Sequence, residues 1–60
     1  MMKWVTIKKL AELTGYSEDA IRAKIKRGIW RIEKHWRKAP DNRILFNIEA
    51  IQLWVEGKAL

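Results

Sequence analysis

A small, mostly helical α+β domain is expected of this chain, and three features point to it. Apolar residues recur at helical spacing in three separate stretches, each preceded by a residue that can cap a helix and followed closely by glycine. Between the second and third stretches, a Pro-Asp-Asn turn signal separates two short segments rich in aromatic and β-branched residues, the pattern of a β-hairpin. At 60 residues the chain has room for one domain, residues 1–60, which buries roughly 60% of its unfolded surface and so has a small core.

Trp4-Val5 is a short apolar pair that reads as a fragment of strand. Thr6 follows as a cap, and Ile7, Leu10, Ala11 and Thr14 form one stripe, with Lys8, Lys9 and Glu12 outside it. Gly15 ends this helix by taking the left-handed conformation. Ser17 caps the second helix, and Glu18 and Asp19 stand in its first turn, where negative charge suits the helix dipole. Ile21 and Ile25 mark its buried side. Asp19, Ala23, Lys26 and Arg27 fall opposite them, with Arg22 at the flank. Gly28 is a natural stop.

Beyond Gly28 two readings compete. Ile21, Ile25, Ile29, Ile32 and Trp36 also fit one long basic amphipathic helix from Ser17 to Lys38, which suits a membrane surface or a partner protein. The other reading makes His35–Lys38 a strand, Ala39–Arg43 a turn and Ile44–Phe46 the return strand. Pro40 supplies a fixed φ, Asp41-Asn42 tolerates left-handed backbone, and the return leg is β-branched and aromatic, so the hairpin is preferred. Asn47 then caps a last helix with Glu49 in its first turn and a stripe of Ile48, Ile51, Trp54 and Val55, closed by Gly57.

The net charge is +6, and it is concentrated. Arg22 to Arg43 holds nine Lys or Arg against two acids, whereas the rest of the chain holds four against five. A basic block on a small domain points to a polyanion, nucleic acid before membrane. No cysteine and a single histidine leave neither a disulfide framework nor a metal site to build. The sequence has no apolar run of membrane-spanning length, signal peptide, catalytic carboxylate pair, phosphate-cradling glycine loop or nucleophile–base arrangement. It is not read as an enzyme, and no cofactor is expected.

Two helices joined by a short glycine-containing turn, the second presenting cations, form a helix-turn-helix unit. Ala11 lets the helices approach, and Ile21 anchors the second. Small Ala23 lets the helix backbone sit close to base edges, while Ser17, Arg22, Lys26 and Arg27 surround it as the expected contacts to guanine or phosphate. The hairpin adds His35, Arg37, Lys38, Asn42 and Arg43 along and around its turn. A basic hairpin after a helix-turn-helix is a wing, able to reach the backbone or the adjacent minor groove. Trp4, Trp30 and Trp54 are expected in the core. Trp36, on an otherwise basic strand, is the least committed of the four to the core and is also able to stack on bases.

The runs WVTIKKLAELTGYS, AIRAKIKRGIWR, HWRKAPDNR and NIEAIQLWVEG resemble the small excisionase family of temperate phages and prophages, in order over nearly all of residues 4–57. Gly15-Tyr16-Ser17, the Lys26–Trp30 run and Ala39-Pro40-Asp41 are its most specific elements. The resemblance implies a winged helix-turn-helix related to the DNA-binding modules of MerR-type regulators, with Ser17–Arg27 reading the major groove and His35–Arg43 as the wing. It also implies a non-catalytic architectural protein of the bacterial cytoplasm that bends duplex DNA near an attachment site. Integrase and neighbouring protomers on DNA would then be its partners, with no small-molecule substrate and no membrane. The same fold also serves small phage transcriptional regulators, an alternative reading. The chain departs from the family in two places: Ile32-Glu33-Lys34 lacks the glycine expected before the wing, and the usual Asp-Gly turn is Asp41-Asn42. The basic tail common after the last helix has only Lys58 as its counterpart beyond Gly57.

Overall fold

A computed structural model describes residues 3–58. Along the chain run β1 (Trp4–Val5), α1 (Ile7–Thr14), α2 (Glu18–Lys26), β2 (Trp36–Lys38), β3 (Ile44–Asn47) and α3 (Ile48–Val55). The strands form one antiparallel sheet in the order β1-β3-β2, so the strand made last is the central one. Trp4 lies opposite Asn47, Val5 opposite Phe46, and Phe46 in turn opposite Trp36. The result is an α+β fold of three helices and a three-stranded sheet.

Each helix starts where its capping residue stands. The side chains of Thr6, Ser17 and Asn47 accept hydrogen bonds from the backbone N–H of Lys9, Ala20 and Ala50 at 3.2, 3.1 and 3.2 Å. The end of α2 decides between the two sequence readings. Gly28 takes φ +77°, its N–H donates to the Ile25 carbonyl at 3.0 Å, and the Ile29 N–H donates back to Lys24 at 2.9 Å. That pair of bonds is the Schellman arrangement, which turns the chain out of the helix. The long helix to Lys38 therefore does not form, because one glycine lets the helix end close on itself and frees Trp30 to enter the core.

The core is one cluster with a member from nearly every layer: Leu10, Ile21, Trp30, Phe46 and Ile51, each 1% exposed or less. Trp30 is its centre. The edges or faces of Tyr16, Phe46 and Trp54 meet it at 6.3, 6.4 and 5.4 Å between centroids, all in edge-to-face geometry. Trp36 also packs on the cluster, and its indole N–H donates to the Trp30 carbonyl at 3.0 Å. Trp4, half-buried like Trp36, lies outside the cluster, with Lys3 and Arg37 at 6.0 and 5.8 Å from its ring. The core role expected of Trp4 is thus corrected, while Trp36, the least committed of the four, packs on the core. Strand alternation is the reason: Trp36 and Val5 share the inward face with Phe46, whereas Trp4 is one residue out of phase with Val5.

The hairpin turn is held by three bonds. The Asn42 N–H donates to the Ala39 carbonyl at 2.9 Å, the Ala39 N–H to Arg43 at 2.7 Å, and the Arg43 N–H to the Asp41 carboxylate at 3.0 Å. This is the pattern of a type I turn followed by a left-handed bulge residue, and Asn42 fills that position at φ +71°. The loop before the hairpin holds a second left-handed residue, Glu33 at φ +74°. Both lie where the resemblance leads a glycine to be expected.

Candidate nucleic-acid interface

Four of the expected contact residues meet in one groove. Arg22 and Lys26 from α2 face Asn42 and Arg43 from the hairpin turn across a cleft of about 530 Å³. Its apolar lining comes from Ile7, Ile25, Ile44 and Phe46, with Thr6 at the start of α1. Arg22 and Lys26 share the wall because residues four apart lie on one helix face. Asn42 and Arg43 reach it because the turn closes tightly and β3 sits at the centre of the sheet. Thr6 and Ile7 are lining residues that the sequence reading did not nominate. Their local signal is the helix cap, and what brings them here is the pairing of β1 with β3.

The charges in and around this groove are not equivalent. Arg22 is bound to the carboxylates of Asp19 at 3.2 Å and Glu18 at 3.3 Å. Arg43 lies 3.9 Å from Asp41. Lys26, Arg27 and Lys38 are exposed and, among the described residues, enter no ion pair. Lys24 faces elsewhere, its ammonium 4.2 Å from the centre of the Tyr16 ring. No group of His, Cys, Asp and Glu among the described residues could hold a metal ion, and no described helix is long and apolar enough to cross a membrane.

The remaining expected residues lie as follows. Ser17 is exposed, but its oxygen is engaged as the α2 cap. Ala23 is half-buried rather than open, and Arg27 sits at the exposed C-terminal end of the helix. Arg37 points to the sheet face opposite Phe46, where its guanidinium donates to Glu33 at 2.9 and 2.6 Å beside Trp4. Lys38 is exposed on β2, opposite Ile44.

His35 is a correction. It is 4% exposed and stacks against Trp30 at 6.5 Å, so it does not reach a phosphate or a groove floor. Its Nδ1 accepts a hydrogen bond from the Arg31 N–H at 3.0 Å, which assigns the ring proton to Nε2, a buried atom with no partner among the described residues. Burial pushes its pKa below the ordinary value of 6.5, and the charges of Lys34 and Arg31 push in the same direction. The residue type suggested a polar contact, but the backbone bonds from His35 to Arg31 and from Asn47 to His35 fold it inward as a structural pin.

Residues 1–59 match the family described as "Putative excisionase (DUF1233)". No curated protein and no solved structure matches the chain.

Proposed function

Because the chain belongs to this excisionase family, we propose that it is a recombination directionality factor that binds duplex DNA as a winged helix-turn-helix. In this reading α1 and α2 form the helix-turn-helix, α2 enters the major groove, and the hairpin of β2 and β3 is the wing. The observation that carries it is the convergence of Arg22 and Lys26 with Asn42 and Arg43 on one groove, within a block carrying most of the positive charge. Two elements separated in sequence direct cations and an amide toward the same space, the arrangement needed to straddle a phosphate backbone between two grooves.

The mechanism is assembly rather than bond chemistry. Copies on adjacent sites bend the DNA near a prophage attachment site and hold integrase in the geometry of excision. Bending costs on the order of 1–6 kcal/mol by elastic estimates, which phosphate contacts and cooperative loading offset. Were all six of Arg22, Lys26, Arg27, Arg37, Lys38 and Arg43 to touch phosphate, the log–log salt slope would reach about −5, its upper bound. If Arg22 and Arg37 keep their carboxylate partners, the slope falls to about −4.

The test is a gel shift of the purified chain on an attachment-region duplex and on a scrambled duplex at equal salt. Discrete, stepwise complexes that favour the attachment DNA are expected, together with the steep salt dependence. Equal smeared binding to both would reduce the protein to a basic module without a target. A slope near −1 would remove the footprint.

A further inference from the structure

We propose that Arg22 is the base-reading residue of α2, directed at a guanine, and that Glu18 and Asp19 are positioning residues that hold its guanidinium for that contact. This rests on the reading of α2 as the major-groove helix. Arg22 stands apart from the other cations around the groove because both terminal nitrogens are engaged from within its own helix, Nη1 by Asp19 and Nη2 by Glu18. Those partners lie three and four residues earlier, so they approach from the N-terminal side of the helix.

The helix dipole accounts for the two acids at the start of α2, but stability does not account for their pairing with Arg22. All three side chains are substantially solvent-exposed, from 42% for Glu18 to 98% for Asp19, and exposed ion pairs contribute little to folding. Orientation is what the arrangement supplies. A guanidinium carries five N–H donors in a rigid plane, and two are taken here, leaving three. A guanine needs two, at O6 and N7, presented as a planar fork. A side chain already limited by two carboxylates loses less freedom on making that contact.

Electrostatics separates this contact from phosphate binding. Glu18, Asp19 and Arg22 together carry a net charge of −1, so this part of the helix is poorly suited to a phosphate. Lys26 and Arg27, at the end of the helix, have no such compensation and are flexible or extended cations suited to the backbone. The helix is thereby divided along its length. Its early turns face base edges, and its last turn and the hairpin residue Arg43 hold phosphate.

The experiment is selection of preferred sites from a random duplex pool, followed by affinity measurements on the selected site and on a scrambled duplex. It uses the wild-type chain, Arg22→Lys, and the double variant Glu18→Gln with Asp19→Asn, each checked for folding by circular dichroism. The wild type is expected to select a site containing a guanine that it prefers roughly ten- to a hundredfold over other bases. Arg22→Lys keeps the charge and loses the fork, so this preference collapses by more than the affinity for scrambled DNA falls. The double variant is expected to bind scrambled DNA more tightly while discriminating less at the same guanine. An unchanged consensus in Arg22→Lys, or discrimination that rises together with affinity in the double variant, overturns the inference while leaving DNA binding intact. A wild-type chain that binds no duplex overturns the parent reading, and this one with it.

Discussion

Replacing Glu33 by glycine and, separately, by alanine tests whether the loop before the hairpin is held in a left-handed turn. Glu33 adopts φ +74°, with its N–H donating to the Trp36 carbonyl at 2.7 Å and its carboxylate bound to Arg37. Both substitutions remove the carboxylate. The lost ion pair, about 60% exposed on either side and worth at most about 1 kcal/mol, therefore cancels between them. The backbone is what differs. A residue with a Cβ loses about 1–2 kcal/mol in the left-handed region, and glycine gives back about 0.5–1 kcal/mol through its greater freedom when unfolded. Glu33→Gly should therefore be more stable than Glu33→Ala by about 0.5–1 kcal/mol. In a domain of this size that separates their thermal midpoints by roughly 3–6 °C, read by circular dichroism at neutral pH. Equal midpoints, or alanine above glycine, would refute the left-handed assignment at Glu33.

Gly28→Ala asks the same question in reverse. No atom lies within 4 Å of the added methyl, so the loss of about 1 kcal/mol comes from φ alone and appears as a lower thermal midpoint. The folded pKa of His35 is depressed, so its contribution to stability is complete above its ordinary value of 6.5 and is lost as the pH falls below it. The midpoint should drop between about pH 7 and pH 5 by more in the wild type than in His35→Asn, which keeps an acceptor for Arg31 and does not titrate. Ile21→Ala, at a fully buried position, should cost about 2–5 kcal/mol and leave so small a domain largely unfolded by circular dichroism. Lys26→Ala should weaken binding to all duplexes alike and reduce the salt slope by about 1.

The element order was legible in the sequence because local chemistry decides it. Thr6, Ser17 and Asn47 cap the helices they precede, and Asn42 takes the left-handed place in the turn that Pro40 opens. Gly28 separates the hairpin from the long-helix alternative through two backbone bonds, which hydrophobic periodicity does not encode. Long-range pairing was less legible. Nothing local to Trp4 and Trp36 says which faces inward, because that follows from register against β3, and the register places Trp36 on the core. His35 failed as a surface contact for a related reason. A histidine in a basic segment reads as exposed until the backbone bonds that draw its ring under Trp30 are known. In the groove, α2 periodicity places Arg22 and Lys26 on one face. Their meeting with Asn42 and Arg43 depends on the tertiary fold.

Placing the last strand at the centre of the sheet also sets the order in which the protein can be made. β1 leaves the ribosome before every other element of this domain, yet its hydrogen-bonding partner is Phe46-Asn47 in the last strand. The hairpin of β2 and β3 spans a short loop and can close early. β1 must wait, carrying Trp4 and Val5 unpaired until β3 has been synthesised. Nascent chains that end before Asn47 therefore cannot complete the sheet or start α3. The domain therefore acquires its cooperative structure only once β3 and α3 are available, so a chain halted before Asn47 should be as sensitive to protease as an unfolded chain.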